Sequence, residues 1–453
     1  VTELPDLAAS LLDRALPGEE VEVYVARGHD TEVRAYEGEV ESLSSAASSG
    51  VGVRVLLDAG SEAGARLGFA WAGSLEGDLV TSALEEARDN ARYATPDPDV
   101  ALAEPDGVEA ARLELWDERL AATPTDHKVE MALALERQVR KADTRIRQVS
   151  SADYADGWVE VALASTTGIR AYTRRTSAFL SVSAIAGEGV DSQTGSGFSV
   201  GRALEDLDPD RAAADAVRRA VRMLGATKPR SCRCTVVFDP RVVATLLAVV
   251  SSALSGEAVV KGRSFFAGRI GERVAVPAAT LVDDPTDPRA VAAAPYDGEG
   301  LACRRNVLVD GGVLQRFLFD TVAARRAGTV STGSAVRGGF SGTPSAGCRA
   351  LVLQPGTAGQ EEILAAVGEG LYVQSVSGVH SGVNAVSGDF SVGAEGLMIR
   401  EGSLGEPVRE ATVASTLQRM LMSIVHVGAD IEWLPGIAAG QTLAVADMQL
   451  SGA

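Results

Sequence analysis

The chain has 453 residues, 46% apolar and 23% charged, a globular balance in a sequence too long for one ordinary core. Its formal net charge of −19 excludes nucleic acid as an expected partner, because a phosphate backbone attracts a basic face. No apolar run approaches the roughly 20 residues that span a bilayer, so no membrane partner is expected. The opening residues do not read as a signal peptide, so the expected location is the cytoplasm, with the four cysteines as reduced thiols.

In chain order, helical apolar spacing covers 6–16. Alternation then predicts antiparallel strands at 21–26, 31–36, 50–57 and 65–72. A helix follows from Gly77 to Ala94, with Leu79, Ala83, Ala87 and Ala91 on one stripe. Residues 95–110 are rich in Pro and Asp and read as a loop. Another helix is expected over 125–142, then strands near 146–151, 157–164, 168–173 and 177–186. The stretch G-S-G-F-S-V-G at 195–201 lacks the following helix and Lys-Ser/Thr of a phosphate loop. The helix at 209–224 has Asp208 as its cap, Pro209 in its first turn and Gly225 as its stop. Arg218, Arg219 and Arg222 read as its solvated face.

Residues 226–234 read as a linker, with a domain boundary near 230. A strand at 234–238 leads into a helix that has Asp239 as cap and Pro240 at its first position. Two further apolar strands lie at 306–309 and 350–353 among glycine-rich turns. The expected fold class is α+β in two domains, 1–229 and 230–453, each with largely antiparallel sheets and packed helices.

Several residues are candidates for chemistry. Asp283, Asp284 and the run Y-D-G-E-G at 296–300 read as acidic turn residues. Cys232 and Cys234 are too close in sequence for a usual zinc pair, and all four cysteines read as buried or half-buried structural thiols. His29 is expected in a turn, His127 early in a helix and His426 near the end of an apolar helix. From Val373 to Arg409, glycines and small polar residues alternate with valines, which reads as short strands joined by tight turns. Gly378, His380, Ser381, Gly382, Asn384, Ser387, Gly388 and Asp389 are the candidates for gripping a peptide backbone by strand addition. His380, Ser381 and Asp389 also allow a Ser–His–Asp reading on residue types alone, although neighbours on an extended segment point to opposite faces.

The run H-S-G-V-N-A-V-S-G-D-F-S-V-G-A-E-G (380–396), followed by P-V-R-E-A-T (407–412), resembles the C-terminal signature of the TldD/PmbA family. These are bacterial and archaeal peptidases and their partner subunits, once called modulators of DNA gyrase. T-T-G-I-R-A-Y-T-R-R-T-S-A-F-L-S-V-S-A-I-A (166–186) resembles the family's central strand pair. K-G-R-S-F-F-A-G-R-I-G-E-R-V-A (261–275) resembles the segment after its metal helix.

In catalytic members that helix carries H-E-x-x-x-H, two zinc ligands and a general base. Aligned from K-G-R-S-F-F, the three positions here are Leu247, Ala248 and Ser252, in a degenerate metal helix at 240–255. None of them can bind zinc as those side chains would. The resemblance also implies a cysteine ligand near the chain end in catalytic members, and the last 50 residues contain no cysteine. It therefore implies a metal-free subunit of the PmbA (TldE) type, with no cofactor of its own. The expected partners are a TldD-like zinc-bearing paralogue and an unfolded or short peptide. The alternatives are a self-sufficient peptidase with a relocated site and a non-enzymatic protein-binding modulator.

Overall fold

A computed structural model describes residues 3–60 and 63–452. Its N-terminal half holds strands β1 (Glu19–Tyr36), β2 (Glu39–Asp58), β3 (Ala65–Ala72), β4 (Ile146–Ser165), β5 (Arg170–Ala186) and β6 (Gln193–Gly201). They form one antiparallel sheet in the order β3-β2-β1-β4-β5-β6. Its helices are α1 (Leu4–Leu12), α2 (Gly77–Tyr93), α3 (Glu118–Ala121), α4 (Thr125–Ala142) and α5 (Pro209–Val221).

The helices cover one face in two groups. Val21, Val23 and Val25 of β1 pack with Val51, Val53 and Val55 of β2 beneath α1 and α2. Farther along, Val33 of β1, Tyr154 of β4 and Leu180 of β5 pack beneath α4 and α5. All three valines and Val33 sit at odd positions of one strand, so they share a face. The even positions of β1 (Glu22, Tyr24, Gly28, Asp30) face the C-terminal lobe.

That lobe contains β7 (Cys232–Phe238), α6 (Pro240–Ala253), α7 (Gly256–Val260), β8 (Leu281–Asp283), β9 (Asn306–Asp310), β10 (Val313–Leu314), α8 (Thr321–Arg326), β11 (Ala335–Val336), β12 (Ser345–Ala346) and β13 (Leu351–Leu353). It continues with α9 (Gln360–Val367), β14 (Gly370–Ser377), α10 (Val379–Gly382), β15 (Asp389–Arg400), β16 (Ser403–Thr416), α11 (Leu417–Met422), β17 (Ile424–Val427), β18 (Glu432–Trp433), β19 (Ala439–Gly440) and β20 (Leu443–Ser451). The main sheet runs β16-β15-β14-β7-β20-β17, and a further β16–β20 pairing closes five of its strands into a ring. Only β7 and β14 pair parallel within it. Helix α6 lies in the core of this lobe, with Val243, Leu246, Leu247 and Val250 buried. Its first turn meets β19 so closely that a Cβ on Gly440 would lie 1.8 Å from the Pro240 carbonyl oxygen.

The fold is α+β with antiparallel sheets, as expected. The expected boundary near 230 falls between α5 and β7. Asp208 caps α5 by accepting from Arg211 N at 2.9 Å, and Asp239 caps α6 by accepting from Arg241 N at 3.0 Å. Among the described residues, no helix is long and apolar enough to cross a membrane.

Several expectations are corrected. The paired short strands expected at 21–36, 146–164 and 168–186 are single strands of 18, 20 and 17 residues. The gaps fall at Gly28 and Asp30 in β1 and at Arg175 in β5, where the sheet borders a cavity instead of a packed element, whereas the gap in β4 holds the buried Ala152 and Tyr154. Residues 39–48 of β2 were not legible as strand, because both faces are exposed and no apolar alternation arises. On α2, Leu79 is exposed, and Val80 and Leu84 take the inner face. Arg219 is buried rather than solvated and pairs with Asp239 at 2.5 Å. Arg222 is half-buried, its guanidinium over the Tyr372 ring. His29 lies in β1, not a turn, and His426 lies in β17, not a helix. Cys232 is exposed.

Candidate functional site

The two lobes meet along a polar seam. Arg337 of the C-terminal lobe donates to Glu22 at 2.7 Å, and Arg54 of β2 pairs with the same carboxylate from the other side. Arg326–Asp97 and Arg304–Asp106 each close at 2.5 Å nearer the rim. Burial opposes the charge of Glu22, but Arg54 and Arg337 hold its carboxyl below the usual range. Across the seam Glu299 lies 3.8 Å from Arg54 and accepts from the backbone N and hydroxyl of Thr321. Burial, reinforced by Asp297 and Asp320, pushes Glu299 up to about 7. Burial likewise pushes Asp283 and Asp297 up to about 6.

These acids were expected as turn residues. Asp297 does organise a turn, accepting from Glu299 N at 2.9 Å and Leu301 N at 3.0 Å. Asp283 lies in β8 and accepts from Arg349 N and Ala350 N. All three are buried in the seam's C-terminal wall, which no local spacing announces.

Three cavities follow the seam. The first, about 490 Å³, lies between the open face of the N-terminal sheet and the loop carrying Asp297 and Gly298. Tyr24, Asp30 and Val159 form its floor, and Arg175, Arg337 and Arg349 also line it. The second, about 590 Å³, shares Arg175 and Ser177 with the first and adds Arg202, Trp433 and Ile437. Arg202 is fixed there by donating to the Pro288 carbonyl at 2.7 Å and to that of Ala290. The third, about 530 Å³, shares Ile437 with the second and ends on Ser251, Ser252, Lys261, Arg263 and Cys348 beside the last turn of α6.

The α6 positions singled out from the sequence lie at this last cavity or behind it. Leu247 is 5% exposed and belongs to the core of the lobe. Ala248 is half-buried. Ser252 is exposed, lines the third cavity and donates to the Val249 carbonyl at 2.7 Å. Cys348, in the same wall, is buried, and burial holds its thiol well above the ordinary range.

The glycine-rich candidates lie elsewhere. Gly378 has φ +72° and opens the single turn of α10, so His380 and Ser381 are on a helical turn rather than an extended segment. Ser381 Oγ donates to the Gly378 carbonyl at 3.2 Å. Gly382 packs on β15, where an added Cβ would meet the Ser391 carbonyl oxygen at 1.9 Å. Asn384 Oδ1 accepts from the backbone N of Val386 and of Ser387. Ser387 donates to Asp389 at 2.7 Å, and Gly388 is buried with φ +83°. His380 makes no side-chain hydrogen bond to Ser381 or Asp389 among the described residues. None of the eight candidates lines the three seam cavities.

Three stretches match known domains: 231–452 the PmbA/TldA metallopeptidase C-terminal domain, 118–224 its central domain and 21–91 its domain 1. The chain belongs to the PmbA/TldA metallopeptidase family. It is 28% identical over 434 residues to Metalloprotease PmbA of Escherichia coli O157:H7, covering 95% of this chain and 92% of that one. It is 30% identical to the Haemophilus influenzae Metalloprotease TldD homolog, covering 70% and 68%. Among solved structures it resembles a putative modulator of DNA gyrase from Bacteroides thetaiotaomicron, with TM-score 0.88, 27% identity and 99% and 98% coverage. TldE from Thermococcus kodakarensis shares the fold, with TM-score 0.88 at 24% identity over 99% of each chain.

The family's name implies a metal, but the residues at α6 do not fit one. Leu247 and Ala248 have no donor atom. Among the described residues, no group of three or more His, Cys, Asp or Glu side chains is placed to hold an ion. His29, His127, His380 and His426 all lie outside the third cavity.

Proposed function

We propose that this chain is the non-catalytic, TldE-type subunit of a two-chain cytoplasmic metallopeptidase. A TldD-like paralogue supplies the zinc and the hydrolytic step. This chain closes the substrate chamber and holds an unfolded or short peptide. The observation that carries the reading is α6 itself. The helix ends at the third cavity of the seam, which Ser252 lines, and the positions aligned with two ligands and a base carry Leu247, Ala248 and Ser252. The kinship with a protein named PmbA and the fold shared with one named TldE support it.

A subunit also needs a surface on which to assemble. Residues 39–48 of β2 are exposed on both faces, and β3 pairs only with residues 51–58. Their outer edge is therefore open to a strand from another chain. A self-sufficient peptidase would use His380, Asp389 or the cysteines; His380 makes no side-chain hydrogen bond to Ser381 or Asp389 among the described residues, and burial holds the Cys303 and Cys348 thiols above the ordinary range.

The test is to mix the purified chain with a TldD-like paralogue carrying an intact H-E-x-x-x-H and to measure mass by light scattering after gel filtration. A one-to-one complex is expected. Two separate species at micromolar concentration would overturn the reading.

A further inference from the structure

We propose that the first seam cavity is a carboxylate-binding site, with Arg175 and Arg349 as the receiving groups and the C-terminal carboxylate of a short peptide as the ligand. The identity of the carrier rests on the peptide-holding reading above; the anion site does not.

The three guanidinium groups of this wall are under-partnered, in a protein whose net charge is −19. Arg175 is exposed to the cavity and makes no side-chain hydrogen bond or ion pair among the described residues. Desolvation between the lobes, then Arg349 and Arg202, lower its pKa, against a smaller opposing effect of Tyr24. The Arg349 guanidinium makes one long hydrogen bond, 3.5 Å to the Ala335 carbonyl, and no ion pair within 4 Å among the described residues. Arg337 commits Nη2 to Glu22, lies over the Tyr24 ring and leaves Nε and Nη1 buried without a hydrogen-bond partner. A cation cluster of this kind is stabilised by an anion, and a guanidinium fork matches a carboxylate in two parallel hydrogen bonds.

The rest of the wall selects the carrier. Asp30 and Asp297 share the cavity with the arginines, so a doubly charged phosphate meets more repulsion than a single carboxylate. Val159, Val161 and Leu163 give the same cavity an apolar floor for the side chain beside that carboxylate. Gly28 and Gly157 keep the floor low, since a Cβ at either would strike the Trp158 carbonyl or Asp30.

The test uses the full chain and an unstructured pentapeptide with either a free or an amidated C-terminus, titrated calorimetrically. Succinate and inorganic phosphate serve as small probes in thermal melts. Amidation is expected to weaken binding roughly 10-fold or more. Arg175→Gln should remove that difference, and Arg175→Lys should restore part of it. If acid and amide bind alike and Arg175→Gln changes nothing, the site is wrong while peptide holding survives. If no peptide binds but succinate stabilises the parent and not Arg175→Gln, the anion site stands and the peptide reading falls. Stabilisation by phosphate alone, or by neither probe without any peptide effect, overturns the proposal.

Discussion

Arg337 and Glu22 form an ion pair at 2.7 Å in which each side chain is 2% exposed, and the pair joins a loop of the C-terminal lobe to the first strand of the chain. Taking two charges out of water costs several kcal/mol, offset only while both partners stay in place. Arg337→Met leaves Glu22 with Arg54 alone and should therefore destabilise the fold by about 1.5–3 kcal/mol in chemical denaturation. Arg92→Ala, which breaks an Asp89 pair with both side chains more than 60% exposed, should shift it by less than about 0.5 kcal/mol. Equal effects from the two substitutions would show that the seam is not held this way.

The neighbouring Glu299 gives the opposite sign with pH. Its carboxyl is pushed from 4.5 to about 7 by burial, so the folded chain keeps a proton that the unfolded chain has already released. Between those values the folded state binds more protons, and stability falls as pH rises through the window. Asp283 and Asp297, raised to about 6, add to the same slope. Glu299→Gln removes one such penalty. Its unfolding free energy should exceed that of the parent at pH 8, by up to about 3 kcal/mol, and converge with it near pH 4.5. A variant less stable than the parent at pH 8 would mean that the charged form is the stabilised one.

The contact between Gly440 and α6 offers a packing test. A Cβ there would lie 1.8 Å from the Pro240 carbonyl oxygen and 3.1 Å from Ala244 N, both backbone atoms that cannot move aside cheaply. Gly440→Ala should cost about 1–3 kcal/mol, read from thermal melts. A neutral substitution would show that α6 is free to slide.

Local pattern carried the fold further than the site. Residues 65–72 were legible as a strand because Leu67, Phe69 and Trp71 alternate with small residues on a half-buried sheet edge. Asp208 and Asp239 were legible as caps because capping needs only neighbours in sequence. β1 and β5 were read in halves because Gly28, Asp30 and Arg175 in their middles line a cavity, where no apolar partner demands alternation. The cavity was not legible at all. Arg175 comes from β5, while Arg337 and Arg349 come from loops more than 160 residues away in the chain. Only the fold brings them to one wall. Leu247, Ala248 and Ser252 were legible because a motif with fixed spacing exposes its own loss.

The open edge of β2 predicts a way to block assembly without unfolding the chain. Leu43, 46% exposed, and Ala47 lie within that edge. The double substitution Leu43→Lys and Ala47→Lys places charges of the kind that natural edges use against strand addition. It should weaken association with a TldD-like paralogue about 10-fold or more, while changing the melting temperature of the chain alone by no more than a degree or two. Unchanged association in sedimentation velocity would place the assembly surface elsewhere.

The most direct measurement is zinc content and peptide hydrolysis for the chain alone, for a TldD-like paralogue alone and for the two mixed. The account predicts no stoichiometric zinc and no cleavage by this chain, with cleavage of an unstructured peptide by the mixture. Stoichiometric zinc together with cleavage by this chain alone would contradict it.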